Sequence, residues 1–330
     1  MHFGIHTGQQ HCTYDEMRQA WKMADAGGLA WVSVWDHLYP ALVSDPSGSE
    51  MEAIALMGAL AAETSRVRVG CHVLCCAFRN PGILAKSLIT IDHISHGRLE
   101  VGLGAGWHEA EHVDFGVPFL PPRERLDRFE EAIKIIKSML TQEVTTFEGK
   151  YFTVRNAHSS PRPVQPSLRL WIGGRGERRT LRLAVRYGDA WNAAYIGVEE
   201  WAHKSEVLTH WCEVERRDPT TIIRSVNLGL GIARTEAEIA SRRDDLIARW
   251  GGDNPTRIAE GMLLGTPQQI IDRVGQYEKA GCTWMNAVLR GPIDLEGLQI
   301  FMEDVVPAFR TTPSAALGAQ GPAKATPTRS

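Results

Sequence analysis

Two short segments of this 330-residue chain carry groups able to move a proton. The first, V-S-V-W-D-H, places Asp36 and His37 at the end of an apolar run. An imidazole titrates near neutrality, so His37 can exchange a proton with any reacting atom within hydrogen-bond reach. The plainer alternative is a loop histidine that only bonds backbone. The second segment, H-E-A-E-H from His108 to His112, matches the zinc-hydrolase pattern H-E-x-x-H. That chemistry needs both histidines on one helix face, Glu109 as base and a third ligand beyond. No suitably spaced third ligand follows, so the match reads as incidental and no metal is expected.

Other segments could hold a ligand. W-I-G-G-R-G-E-R-R-T surrounds Arg175 with Gly173, Gly174 and Gly176 at a helix start. Backbone N–H groups there, with an arginine beside them, suit a phosphate; the alternative is an ordinary tight turn. G-L-G-A-G-W alternates Gly102, Gly104 and Gly106 and continues to Trp107 through Ala105. Its spacing is not that of the dinucleotide fingerprint G-x-G-x-x-G. Such glycines either relieve crowding on a strand or let a flat ring lie against backbone. V-R-V-G-C-H-V-L-C-C, containing His72 and Val73, says by itself only that a buried strand carries small residues.

Composition removes several function classes. A net charge of −3 with no concentrated basic run gives no electrostatic case for nucleic acid. No stretch approaches the ~18 apolar residues needed to span a membrane. The N-terminus has no basic segment followed by an apolar one, so nothing directs export. The six cysteines form no C-x-x-C pair and several fall in apolar runs. They read as reduced thiols in a cytoplasmic protein, and the adjacent Cys75 and Cys76 as small core residues.

The elements that must position these groups alternate short apolar runs with longer amphipathic ones. Strands are expected at Phe3–Thr7, Leu29–Trp35, Val67–Leu74, Arg98–Gly104, Leu168–Ile172, Ala190–Ala193, Ile222–Ile232 and Thr283–Leu289. Helices are expected from Thr13, from Ser49, over Pro81–Ile94 and Arg123–Leu140, near Glu177, over Val198–Arg216 and Thr235–Trp250, from Thr266-Pro267, and over Leu295–Phe309. Thr13 and Glu16 form a capping box, and Thr266-Pro267 is a capped start. Val144–Phe147 and Tyr151–Val154 flank E-G-K as a hairpin. Eight β-then-α units without a composition break predict one closed parallel (β/α)8 TIM barrel with insertions over 1–310. An open doubly wound sheet is the alternative. Residues 311–330, rich in Ala, Pro, Thr and Gly, are expected to be a disordered tail. Chemistry in such a barrel sits on the loops after the strands, and the hairpin, which follows a helix, belongs to the far face.

Taken together, R-N-P-G-I-L-A-K, I-D-H-I-S-H-G-R-L-E-V-G-L-G-A-G-W, L-W-I-G-G-R-G-E-R-R-T-L-R-L-A, R-Y-G-D-A-W-N, G-T-P-Q-Q-I and D-P-S-G before the Glu52 helix resemble the luciferase-like monooxygenase superfamily. The resemblance covers residues 1 to about 310 and leans to its coenzyme F420-dependent oxidoreductase branch. It implies hydride transfer between a deazaflavin and a small organic substrate, and the apolar lid that Trp107 makes suits an unsaturated or nitro-substituted one. An FMN-dependent monooxygenase is the first alternative; a zinc hydrolase on H-E-A-E-H or a non-catalytic cofactor carrier are the others. It implies that Asp36 and His37 form the cofactor- and substrate-side pair, and that His72–Val73 is a non-proline cis peptide backing the ring. It further implies that Ala105, Gly106 and Trp107 lie beside the ring, that residues 173–176 hold the phosphate-bearing tail, and that the chain is a homodimer. Trp107 is a departure: the sugar-phosphate dehydrogenases of the family carry a catalytic acid there, and an indole cannot exchange a proton. Sugar-phosphate oxidation is therefore not expected.

Overall fold

Short parallel strands can be buried on both faces only when helices cover them outside and side chains fill the space within. That is the arrangement in the computed structural model, which describes residues 1–41, 47–250 and 259–309. The tail from 311 onward lies outside the described residues, as do Asp45 and Pro46 of D-P-S-G.

In chain order the first half comprises β1 (His2–Thr7), α1 (Tyr14–Ala26), β2 (Trp31–Val34), α2 (Ala53–Glu63), β3 (Arg68–Cys71), β4 (Leu74–Cys75), α3 (Pro81–Ile94), β5 (Leu99–Gly104), α4 (Glu109–Asp114) and α5 (Pro122–Thr141). The hairpin β6 (Val144–Glu148) and β7 (Thr153–His158) follows. The second half comprises β8 (Leu170–Gly173), α6 (Thr180–Tyr187), β9 (Ala190–Ala194), α7 (Val198–Val214), β10 (Ile223–Ile232), α8 (Glu236–Trp250), β11 (Met262–Gly265), α9 (Pro267–Lys279), β12 (Trp284–Leu289) and α10 (Leu295–Ile300).

The sheet runs β1-β2-β3-β5-β8-β9-β10-β12 and returns to β1, because β9 pairs with β10 and β12 with β1, all in parallel. Closure excludes the open doubly wound sheet. The ends of these strands therefore face one mouth, which is what gathers residues as distant as His37 and Arg175.

Several local expectations change. The third strand is split: the His72–Val73 peptide is cis, and β3 and β4 lie on either side of it. The second helix starts not at Ser49 but after Glu52, whose own carboxylate accepts the Ala55 N–H at 2.8 Å. Acidic groups suit that end of the helix dipole. β11 was not expected; it lengthens the sheet by pairing with the last four residues of β10. The final helix keeps α geometry only to Ile300 and then widens over Phe301–Val305. The helix expected near Glu177 begins at Thr180. The hairpin stands against α5 through Glu131, whose carboxylate accepts the N–H groups of Lys150, Tyr151 and Phe152.

Thr13 and Glu16 bond reciprocally, as expected, and Thr266 precedes Pro267 at the start of α9, its N–H donating to the Gln269 side chain at 2.9 Å. All six cysteines are buried and free. No helix among the described residues is long and apolar enough to cross a membrane.

Candidate functional site

The mouth of the barrel holds a cleft of about 570 Å³, within the range of small-molecule sites. Asp36 and His37 enter it from the end of β2, and His72 and Val73 from the break between β3 and β4. Ala105, Gly106 and Trp107 follow β5, while Gly173, Gly174 and Arg175 follow β8. Of the residues expected at the site, only Gly176 falls outside the wall. A Cβ there would stand 2.8 Å from the Thr180 hydroxyl, so its smallness serves the turn into α6.

His37 has a partner that the sequence did not single out. Its Nδ1 lies 3.0 and 3.1 Å from the two carboxylate oxygens of Glu111, on α4. The same carboxylate accepts the N–H groups of Leu38 at 2.7 Å and Tyr39 at 3.2 Å. Burial opposes the charge of Glu111, but the His37 ring and these N–H donors outweigh it and hold the acid below the usual carboxylate range. The network assigns the Nδ1 proton to the side facing Glu111, which leaves Nε2 for the cleft. Trp107 meets the His37 ring edge-on at 5.5 Å and is itself 53% exposed at the rim.

H-E-A-E-H is thereby spent on other tasks. Glu109 is exposed, and the His108 ring caps α4 by accepting the Glu111 N–H at 3.4 Å. His112 is buried between Phe78 and Phe119, its Nδ1 2.9 Å from the His108 carbonyl. Among the described residues no cluster of three or more His, Cys, Asp or Glu side chains is placed to share an ion. The zinc-hydrolase alternative therefore finds no ligand set here.

Asp36 is buried with both oxygens committed. Arg79 donates to them at 2.7 and 2.9 Å, and the Cys75 N–H donates at 2.8 Å. Arg79 also reaches Glu52 at the start of α2. A carboxylate held this way ties the end of β2 to the β3–β4 break. Cys75 also lines the cleft, but burial pushes its thiol up to about 12, so it stays protonated.

Gly104 and Gly173 leave room for a side chain. A Cβ on Gly104 would stand 2.6 Å from a Val73 methyl, and one on Gly173 would stand 2.8 Å from the other. Both glycines make the slot that receives Val73. Below it the His72 ring lies 4.3 Å from Trp31 and 4.9 Å from Trp171, and an amide network of Asn286, Asn227 and Asn192 forms the floor. Burial holds His72 well below the usual imidazole range and pushes His6, next to it, down to about 3. Both are neutral at pH 7, so neither supplies an imidazolium.

A flat ring with an anionic tail fits these walls: Val73 and Ala105 are apolar, Gly106 and Gly174 take positive φ, and the Gly173–Gly174 turn opens onto the cleft. Arg175 is half-exposed and stands 3.6 Å from Glu200.

Fold and cleft define a (β/α)8 barrel with a small-molecule site at its mouth. The model of the luciferase-like monooxygenase family matches residues 1–283, and the chain belongs to that family. An F420-dependent glucose-6-phosphate dehydrogenase of Amycolatopsis mediterranei is 35% identical over 312 residues, 87% of this chain and 92% of that one. Two solved structures share the fold. An F420-dependent secondary alcohol dehydrogenase in complex with an F420-acetone adduct superposes with a TM-score of 0.81 at 21% identity, over 94% of this chain and 99% of that one. A monooxygenase from Streptomyces bottropensis gives 0.82 at 20%, over 94% and 100%.

Proposed function

We propose that this chain is a coenzyme F420-dependent oxidoreductase acting on a small, unsaturated or nitro-substituted organic substrate. The observation that carries the proposal is the His37–Glu111 pair set at one cleft beside the Val73 slot. The curated relative named above and the first structural neighbour, both F420-dependent by name, support the choice of cofactor. When bound, the deazaflavin supplies a carbon that carries hydride.

The chain's own residues do the rest. Val73, Ala105 and Gly106 back the ring, and the Gly173–Gly174 turn, with Arg175 beside it, holds the phosphate-bearing tail. His37 gives or takes the substrate proton at Nε2. Glu111 fixes the tautomer and offsets the charge when the ring is protonated. Asp36 and Arg79 keep the β3–β4 break in place. Trp35, Phe78 and Trp107 exclude water from the reacting atoms. With an indole rather than an acid at position 107, the relative's sugar-phosphate oxidation does not carry over. In this reading the protein is a cytoplasmic homodimer.

The second reading, an FMN-dependent monooxygenase, is favoured by the monooxygenase neighbour. Dioxygen separates the two. Reduced F420 with an electron-poor acceptor should turn over anaerobically, and reduced FMN should give little product. Tight FMN binding with product formed only in the presence of dioxygen would establish the second reading instead.

A further inference from the structure

Arg125, in the first turns of α5, lines the cleft beside Pro122 and Leu126. Its guanidinium carbon lies 4.4 Å from the centre of the Phe119 ring, a contact that fixes the plane of the group without using its donors. Nη1 is buried and has no hydrogen-bond partner. No carboxylate among the described residues pairs with this guanidinium. Neighbouring arginines differ: Arg179 stands 2.6 Å from Asp127, and Arg79 holds Asp36. A guanidinium presents five donors, and withdrawing one from water with no acceptor costs free energy unless a ligand supplies it.

The position of Arg125 points to the ligand group. Arg179, just past the glycine turn, donates to the Arg123 carbonyl at 3.3 Å and to Asp127, which ties the start of α5 to the 173–176 loop. Arg125 and Ala105, beside which the ring is placed, also line one small space with Leu120 and Phe129. The side chain thus stands between the segment after β5 and the turn after β8.

We infer that Arg125 is the charge partner for the phosphoryl group of the bound cofactor, supplying from α5 the cation that the half-exposed Arg175 provides only weakly. The inference rests on the cofactor reading above and adds a residue to it. A fork of N–H donors matches phosphoryl oxygens in a way that a lysine does not.

The test is a set of equilibrium titrations followed by ring absorbance or fluorescence, on two pairs of probes. F420 is compared with its phosphate-free riboside, and FMN with riboflavin. In whichever pair binds, Arg125→Gln should weaken the phosphorylated member by about ten- to a hundredfold and leave the other within about twofold. Arg125→Lys, which keeps charge and stem, should fall between. Equal weakening of both members would make Arg125 a structural prop and overturn the inference. So would unchanged affinity for both, the result expected if the anion belongs to the substrate. A wild-type chain that binds neither pair would overturn the cofactor reading itself, and this inference with it.

Discussion

His37 alone could exchange a proton, but a free imidazole would populate two tautomers and several ring orientations. Glu111 removes that freedom by taking Nδ1, and its own position is set by the N–H groups of residues 38 and 39 rather than by its helix. The pair spans 74 residues of sequence, so no local spacing could announce it. The signal that was available, H-E-A-E-H, drew attention to Glu109, whereas the acid that meets His37 is the next one along. His37→Ala should lower turnover by ~10²–10⁴-fold while the cofactor still binds. Glu111→Gln keeps the shape and removes the counter-charge. It should lower turnover by about ten- to a hundredfold, with cofactor affinity within about threefold, because the lost interaction is with the charged ring. Pre-steady-state rates beside binding titrations separate the two quantities. Wild-type turnover in Glu111→Gln would leave Glu111 as no more than a clasp for the 37–39 loop.

Among the elements, the one that shapes the cleft is the break between β3 and β4, and it was legible from the sequence only through family resemblance. The apolar run 67–74 looks like one uninterrupted strand, because periodicity registers burial and not peptide geometry. The eight strands of the barrel and the two capped helices were legible for the opposite reason: each depends on residues adjacent in sequence. β11 was missed because four residues beside a longer strand carry no distinctive pattern of their own. Arg79 and Arg125 were missed because an arginine's partner, or its lack of one, is a tertiary fact. Gly104 tests the break directly. Gly104→Ala would drive a methyl against Val73, which is also confined by Gly173 and has only one stiff torsion with which to yield. Overpacking of this kind costs about 1–3 kcal/mol. The unfolding free energy in urea should fall by that amount, and cofactor affinity should fall with it, since Val73 can move only toward the cleft. Unchanged stability would mean that the slot is looser than its geometry implies.

For the molecule as a whole, closing the barrel buries imidazoles that must stay neutral. His6, at the end of β1, is held at about 3, chiefly by burial and then by the nearby charges of Arg290 and His37. In the unfolded chain it returns to about 6.5. Between those values the unfolded state binds a proton that the native state refuses, so stability is lost as pH falls below about 6.5 and the loss is complete only near the folded value. The slope is about 1.4 kcal/mol per pH unit for one group. Glu50 acts in the opposite sense: burial raises it to about 8, so its native form takes up a proton before the unfolded form does as pH falls. Total stability mixes the two, and a difference experiment isolates the histidine. His6→Gln retains a group able to bond the Ser33 hydroxyl, which stands 2.8 Å from the His6 ring, and cannot titrate. Whatever stability gap separates the wild type from this variant at pH 7 should shift against the wild type by about 2–3 kcal/mol at pH 4.5, with Glu50 cancelling in the subtraction. Urea unfolding of both proteins at pH 7, 5.5 and 4.5 measures it. A gap that does not change with pH would mean that His6 takes a proton inside the folded barrel, and that the floor of the cleft holds charge at the pH where the chemistry runs.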